Sequence, residues 1–170
     1  MSKFHVHKTF FEVSDWFTIL NANRKEVFYT KRKHRLNDMT YTLYNEYDES
    51  IMTMKREFSK SEVLFQLEKD LKHFATITIN KGFSKKHFSI EPQKMETRHN
   101  KSKLSYTLMK DGNSLGKVTM KLFRLKTGYT MELFINDEDI LLLLVALVIF
   151  MDEVEPSILG SMFKKLDWLS

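Results

Sequence analysis

The sequence predicts a mainly β fold, a closed antiparallel β-barrel of roughly ten to twelve short strands around one hydrophobic C-terminal helix. Three observations lead there. Short alternating segments recur in turn-linked pairs through most of the chain. Twelve consecutive apolar residues, Ile140 to Met151, stand near the C-terminus. Only five Gly and two Pro occur in 170 residues, and no Ser/Gly-rich or low-complexity stretch divides them, so a single domain over 1–170 is expected.

The pairs come first in chain order. Phe17-Thr18-Ile19-Leu20 leads to Val27-Phe28-Tyr29-Thr30-Lys31, and Tyr41-Thr42-Leu43-Tyr44 leads to Ile51-Met52-Thr53-Met54-Lys55. Tyr106-Thr107-Leu108-Met109 leads to Val118-Thr119-Met120-Lys121 in the same way. Each is an aromatic-Thr-aliphatic strand, a polar turn and a return strand closing on Thr-Lys in the first pair and Thr-x-Lys in the other two, the pattern of a β-hairpin. Further strands are expected at Phe4–Phe11, Phe74–Ile79, His87–Ile90 and Gly128–Phe134, rich in Thr, Ile, Phe, Tyr or Val. Ser61–Leu71 fits a strand through Val63, Phe65 and Leu67, and a helix through Val63, Leu64, Leu67 and Leu71. Hairpins with one apolar face must cover that face, and closure into a barrel also removes exposed edges.

The apolar run is too short for a simple membrane span: twelve helical residues rise about 18 Å against a hydrocarbon layer of about 30 Å. A helix apolar all round then belongs at the centre of a core, here over about 137–152. Asn136 or Asp137 can cap it, and Asp137, Glu138 and Asp139 suit the positive end of its dipole. Asp152 and Glu153 do not suit the other end and are expected to mark a return to solvent, with Pro156 preventing continuation. Ile158, Leu159, Met162, Phe163 and Leu166 recur at helical spacing and predict an amphipathic tail over about 157–168.

These segments, together with Tyr129-Thr130-Met131-Glu132-Leu133 and the stretch from Asp139-Ile140 to Met151-Asp152-Glu153, resemble the tubby C-terminal-like fold. The nearest variety is the LURP-one-related group, in its small bacterial members, and phospholipid scramblases are more distantly similar. The resemblance covers almost the whole chain and implies a twelve-stranded barrel around a central C-terminal helix. It implies no catalytic signature. The chain departs from the scramblase pattern in having no cysteine and a short apolar run, which argues against lipid scrambling.

Charge narrows the partners. Of 27 Lys and Arg two lie beyond Asp137, and of 22 Asp and Glu seven lie from it onward, leaving 25 against 15 in the first 136 residues. A body so basic favours an anionic partner, and a solvated basic surface that serves solubility explains it equally well. The densest run, Lys31-Arg32-Lys33-His34-Arg35, follows directly on a strand. Lys31, Arg32, Lys33 and Arg35 are the candidate residues for anionic phospholipid headgroups or another phosphorylated ligand, weighed against a solvated loop. Lys85-Lys86-His87 and Arg98-His99-Asn100-Lys101-Ser102-Lys103 are secondary candidates in expected loops.

Nucleic acid is disfavoured, because most of the fourteen Phe fall at inward strand positions. His5 and His7 share a strand face but lack a third metal ligand, and neither acidic cluster has the spacing of a calcium loop. No nucleophile elbow, phosphate loop or zinc motif is present, so no cofactor, no metal and no catalysis are expected. With cysteine absent and the N-terminus lacking a signal-like apolar core, the expected location is cytoplasmic, peripheral at most to the inner face of the membrane. The reading is a non-enzymatic binding module, and the alternative is a protein-interaction module using the 157–168 tail.

Overall fold

The computed structural model describes residues 1–9, 16–35, 38–58, 63–80, 87–100, 102–123 and 126–154. Twelve strands follow in order: β1 (Ser2–Thr9), β2 (Trp16–Leu20), β3 (Glu26–Arg35), β4 (Asp38–Asn45), β5 (Ser50–Phe58), β6 (Val63–Lys69), β7 (Lys72–Asn80), β8 (His87–Glu91), β9 (Met95–Asn100), β10 (Ser105–Lys110), β11 (Asn113–Phe123) and β12 (Lys126–Leu133). Each pairs antiparallel with its neighbours in sequence, and β1 closes the barrel on β12 through the register Phe4↔Met131 and Val6↔Tyr129. The three hairpins expected from the sequence are β2–β3, β4–β5 and β10–β11.

The ambiguous Ser61–Leu71 segment resolves as a strand. Val63, Phe65 and Leu67 alternate toward the interior, with Phe65 and Leu67 fully buried. β9 lies in a stretch expected to be loop. Met-Glu-Thr-Arg-His-Asn has little strand propensity, but β8 on one side and β10 on the other pair with it and override local preference.

The helix α1 (Glu138–Val154) runs through the barrel. All twelve residues from Ile140 to Met151 are buried against inward side chains of the wall, among them Ile19, Leu43, Met54, Leu67, Ile77, Leu108 and Val118. The helix lies closest to β11 and β12. Gly116 makes that approach possible: a Cβ there would stand 2.7 Å from Leu144 Cδ1 and 3.0 Å from the Glu132 carbonyl oxygen. An aromatic layer surrounds the last turns, with Phe150 edge-on to Phe65 at 4.9 Å and to Phe88 at 5.1 Å. Two inward threonines, Thr30 and Thr97, are buried, and their Oγ1 atoms accept the backbone N–H of Phe17 and Phe88, each at 3.0 Å.

At the mouth where the helix enters, Asp137 is the N-cap. Its Oδ1 accepts the N–H of Asp139 at 2.9 Å and of Ile140 at 3.3 Å. At the mouth where the helix leaves, Asp152 and Glu153 do not return to solvent as expected. Their side chains are only 12% and 11% exposed, because cations and phenols from five strands converge on them. No helix of the described residues is long and apolar enough to cross a membrane. The tail expected over 157–168 lies outside the described residues.

Candidate anion-binding surfaces

The sequence candidates Lys31, Arg32, Lys33 and Arg35 all lie within β3, which continues to Arg35 instead of ending before the basic run. Because side chains alternate across a strand, the set divides. Lys31, Lys33 and Arg35 project from the outer face and are exposed. Arg32 points inward, where its guanidinium stands 3.7 Å from Glu153 Oε1. Three of the four candidates therefore share the outer surface, and Arg32 faces the exit mouth.

The outer trio has neighbours that sequence spacing does not reveal. Lys33 pairs with Thr40, and Thr40 with Lys55, so two lysines flank one threonine across three strands, at about 10 Å for two interstrand spacings. Asp38 opposes Arg35 and lies 4.0 Å from Lys55. Tyr29 and Tyr44 stack across β3 and β4 with ring centres 5.2 Å apart, and Lys31 Nζ lies 5.7 Å and 5.3 Å from the two rings. The Tyr29 hydroxyl donates to Asp48 Oδ1 at 2.5 Å, and this bond, followed by burial, pushes its pKa up to about 12. The stripe thus combines exposed cations with a rigid, neutral tyrosine platform.

The inner cluster at the exit mouth has a different character. Lys8 Nζ donates to Asp152 Oδ2 at 2.6 Å, and the Tyr129 hydroxyl donates to Asp152 Oδ1 at 3.1 Å. Arg56 donates to Glu153 Oε2 at 2.8 Å, and the Tyr41 hydroxyl donates to Glu153 Oε1. Burial, and then the Glu153 carboxylate, raise the Tyr41 pKa well above its ordinary value, so Tyr41 stays a hydrogen-bond donor. These partners are shared among protein groups, which makes the cluster a structural lock on the helix end.

A third basic surface lies on β9–β11. Arg98, Asn100, Ser105, Thr107 and Lys117 line the outer side of a concavity of about 460 Å³ together with His99, Ser102 and Lys103. This gathers most of one secondary candidate run, although Lys101 is outside the described residues. Lys85 and Lys86 of the other run are also outside them, and His87 opens β8. His5 and His7 lie on the outer face of β1. Partial burial and the charges of Lys3, Lys121 and Arg24 hold His5 below its ordinary pKa. Among the described residues, no group of three or more His, Cys, Asp or Glu is placed to hold a metal ion.

The closed barrel, its threaded apolar helix and the acidic pair at the helix end now stand together, and the family model described as LURP-one-related matches residues 2–152. The chain belongs to the LURP-one-related family. Its fold is similar to that of a protein from Arabidopsis thaliana solved by X-ray crystallography, with a TM-score of 0.56. That likeness holds at 11% sequence identity and covers 89% of this chain and 91% of the plant protein. Among curated proteins none matches the chain. In this LURP-one-related chain the helix packs against the inward side chains of the barrel wall.

Proposed function

We propose that this LURP-one-related protein is a non-enzymatic binding module that associates peripherally with anionic phospholipid through the outer face of β3. The observation that carries the reading is the row Lys31, Lys33 and Arg35 beside the Tyr29–Tyr44 stack. Juxtaposed cations attract anionic headgroups, each basic residue contributing about 1 kcal/mol near a charged membrane surface, and tyrosine suits the interfacial layer. On β3–β5 the outward residues Lys31, Lys33, Thr40, Thr42, Thr53 and Lys55 are polar or charged, unlike the apolar band of a membrane-spanning barrel, so contact on this face is at the surface. Such attraction is screened by salt.

Co-sedimentation with phosphatidylcholine vesicles, with and without phosphatidylserine, tests the proposal. Binding only to the anionic vesicles, weakened by salt and by combined Lys31→Gln, Lys33→Gln and Arg35→Gln substitution, is expected. Equal binding to both vesicle types, or none at low ionic strength, would sink it. Arg32→Gln serves as the contrasting variant: its expected effect is on stability, through Glu153, more than on vesicle affinity.

A further inference from the structure

We propose that the concavity on the outer wall of β9–β11 is a second anion site, which takes a phosphate group carried by a soluble, polar small molecule. Strand register builds it. Arg98 pairs with Thr107 and Thr107 with Lys117, giving a row of cation, hydroxyl and cation across three strands. The adjacent row places Asn100 opposite Ser105, which is buried at the floor. Lys103 completes the lining from the turn between β9 and β10. That turn is held by Asn100 Oδ1, which accepts the Ser102 hydroxyl at 2.8 Å and the Lys103 N–H at 3.2 Å.

Among the described residues the lining therefore presents three cations and three hydroxyls, and no carboxylate. Glu132 lies just beyond it, 3.9 Å from Lys117 Nζ, a separation that leaves the ammonium able to turn toward a bound anion. A phosphate accepts several hydrogen bonds from different directions, and a guanidinium with two ammoniums on separate elements supplies them better than it would satisfy a planar carboxylate. A volume of about 460 Å³ exceeds what one phosphate fills and falls within the range of small-molecule sites. The polar lining selects a hydroxyl-bearing ligand over an apolar one.

Position favours a soluble ligand. β10 and β3 stand almost opposite each other around the closed ring of twelve strands. A barrel lying on a membrane through β3 would turn this concavity toward the surrounding solution, so the two sites can be occupied independently.

Isothermal titration of the full chain with inorganic pyrophosphate at low ionic strength provides the test. Combined Arg98→Gln and Lys103→Gln substitution should weaken binding at least about tenfold, since it removes two charge-assisted contacts. The Lys31, Lys33, Arg35 triple variant should bind pyrophosphate as the parent does while losing anionic vesicles, so failure of one site is separable from failure of the other. Lys117→Gln gives an independent reading should the double variant not fold. Absence of binding by the parent chain, or equal binding by parent and both β9–β11 variants, overturns the proposal. A parallel arm uses phosphatidylcholine vesicles containing phosphatidic acid: capture that depends on Arg98, without pyrophosphate binding, would overturn the soluble source in favour of a lipid-borne phosphate.

Discussion

The two mouths of the barrel are built on opposite principles. Where the helix enters, local chemistry does the work. Asp137 caps the first turn, acidic residues face the positive end of the dipole, and the connecting hairpins are tight, with positive φ at Arg24, Asp48, Asp70, Leu71, Lys94, Asp111 and Gly112. Register shifts sit beside four of these turns, at Ile19/Leu20, Leu43/Tyr44, Leu67/Glu68 and Leu108/Met109. An extra residue there bends the strand into its turn. The helix-to-wall pair at this mouth, Lys69 with Asp139 at 2.7 Å, is half open to water. Where the helix leaves, Asp152 and Glu153 oppose the dipole and hold their places through partners far away in sequence: Lys8, Arg32, Arg56, Tyr41 and Tyr129. The first mouth is secured by neighbours along the chain, the second by neighbours across the barrel.

Perturbing each part should reveal that difference in size and in salt dependence. The largest effect is expected at the hub joining the two mouths. Leu144→Asp buries an unpaired carboxylate at a fully buried position, costs several kcal/mol against a typical stability of about 5–15 kcal/mol, and should leave no cooperative unfolding transition by circular dichroism. A well-folded variant released only from membranes would refute the central helix as a core element.

Next in size is the exit mouth. Glu153→Ala strips Arg56, 16% exposed, of its close carboxylate and should cost about 3 kcal/mol in urea denaturation, with little change between low and high salt. A cost below about 1 kcal/mol would mean that water reaches the cluster and that the two mouths do not differ.

At the entry mouth the effects should be smaller. Asp137→Ala removes the cap and should cost about 1 kcal/mol. Leu71→Gly should act in the opposite direction. Leu71 is 98% exposed at φ 60°, so glycine relieves a left-handed conformation that costs an ordinary residue roughly 1–2 kcal/mol, and a thermal melt should rise by a few degrees. A fall in melting temperature would show that the Leu71 side chain makes a stabilising contact.

Legibility from sequence follows the same division. The three repeated hairpins and the capped start of the helix could be read because alternation, turn residues and capping act over a few positions. β9 could not, since its charged composition becomes a strand only when β8 and β10 pair with it. In the candidate stripe, density along the chain identified Lys31, Lys33 and Arg35. A strict alternation through Arg35 would also have turned Arg32 inward, had the strand been extended that far. Lys55 and the Tyr29–Tyr44 stack had no local signal; Arg98 and Lys103 stood in a secondary basic run, but only strand register joins Thr107 and Lys117 to them.

By itself, the amino-acid sequence determined that an apolar helix must be wrapped by hairpins, because twelve adjacent apolar side chains exceed what one face of a surface helix can bury and fall short of a membrane span. Only the tertiary structure decided which charges meet. Lys8 and Asp152 are 144 residues apart, Arg56 and Glu153 are 97, and no period or propensity connects them. Closure of β1 on β12 and the register of each strand bring them to one mouth. There, burial makes pairing obligatory for groups that the sequence alone would leave in water.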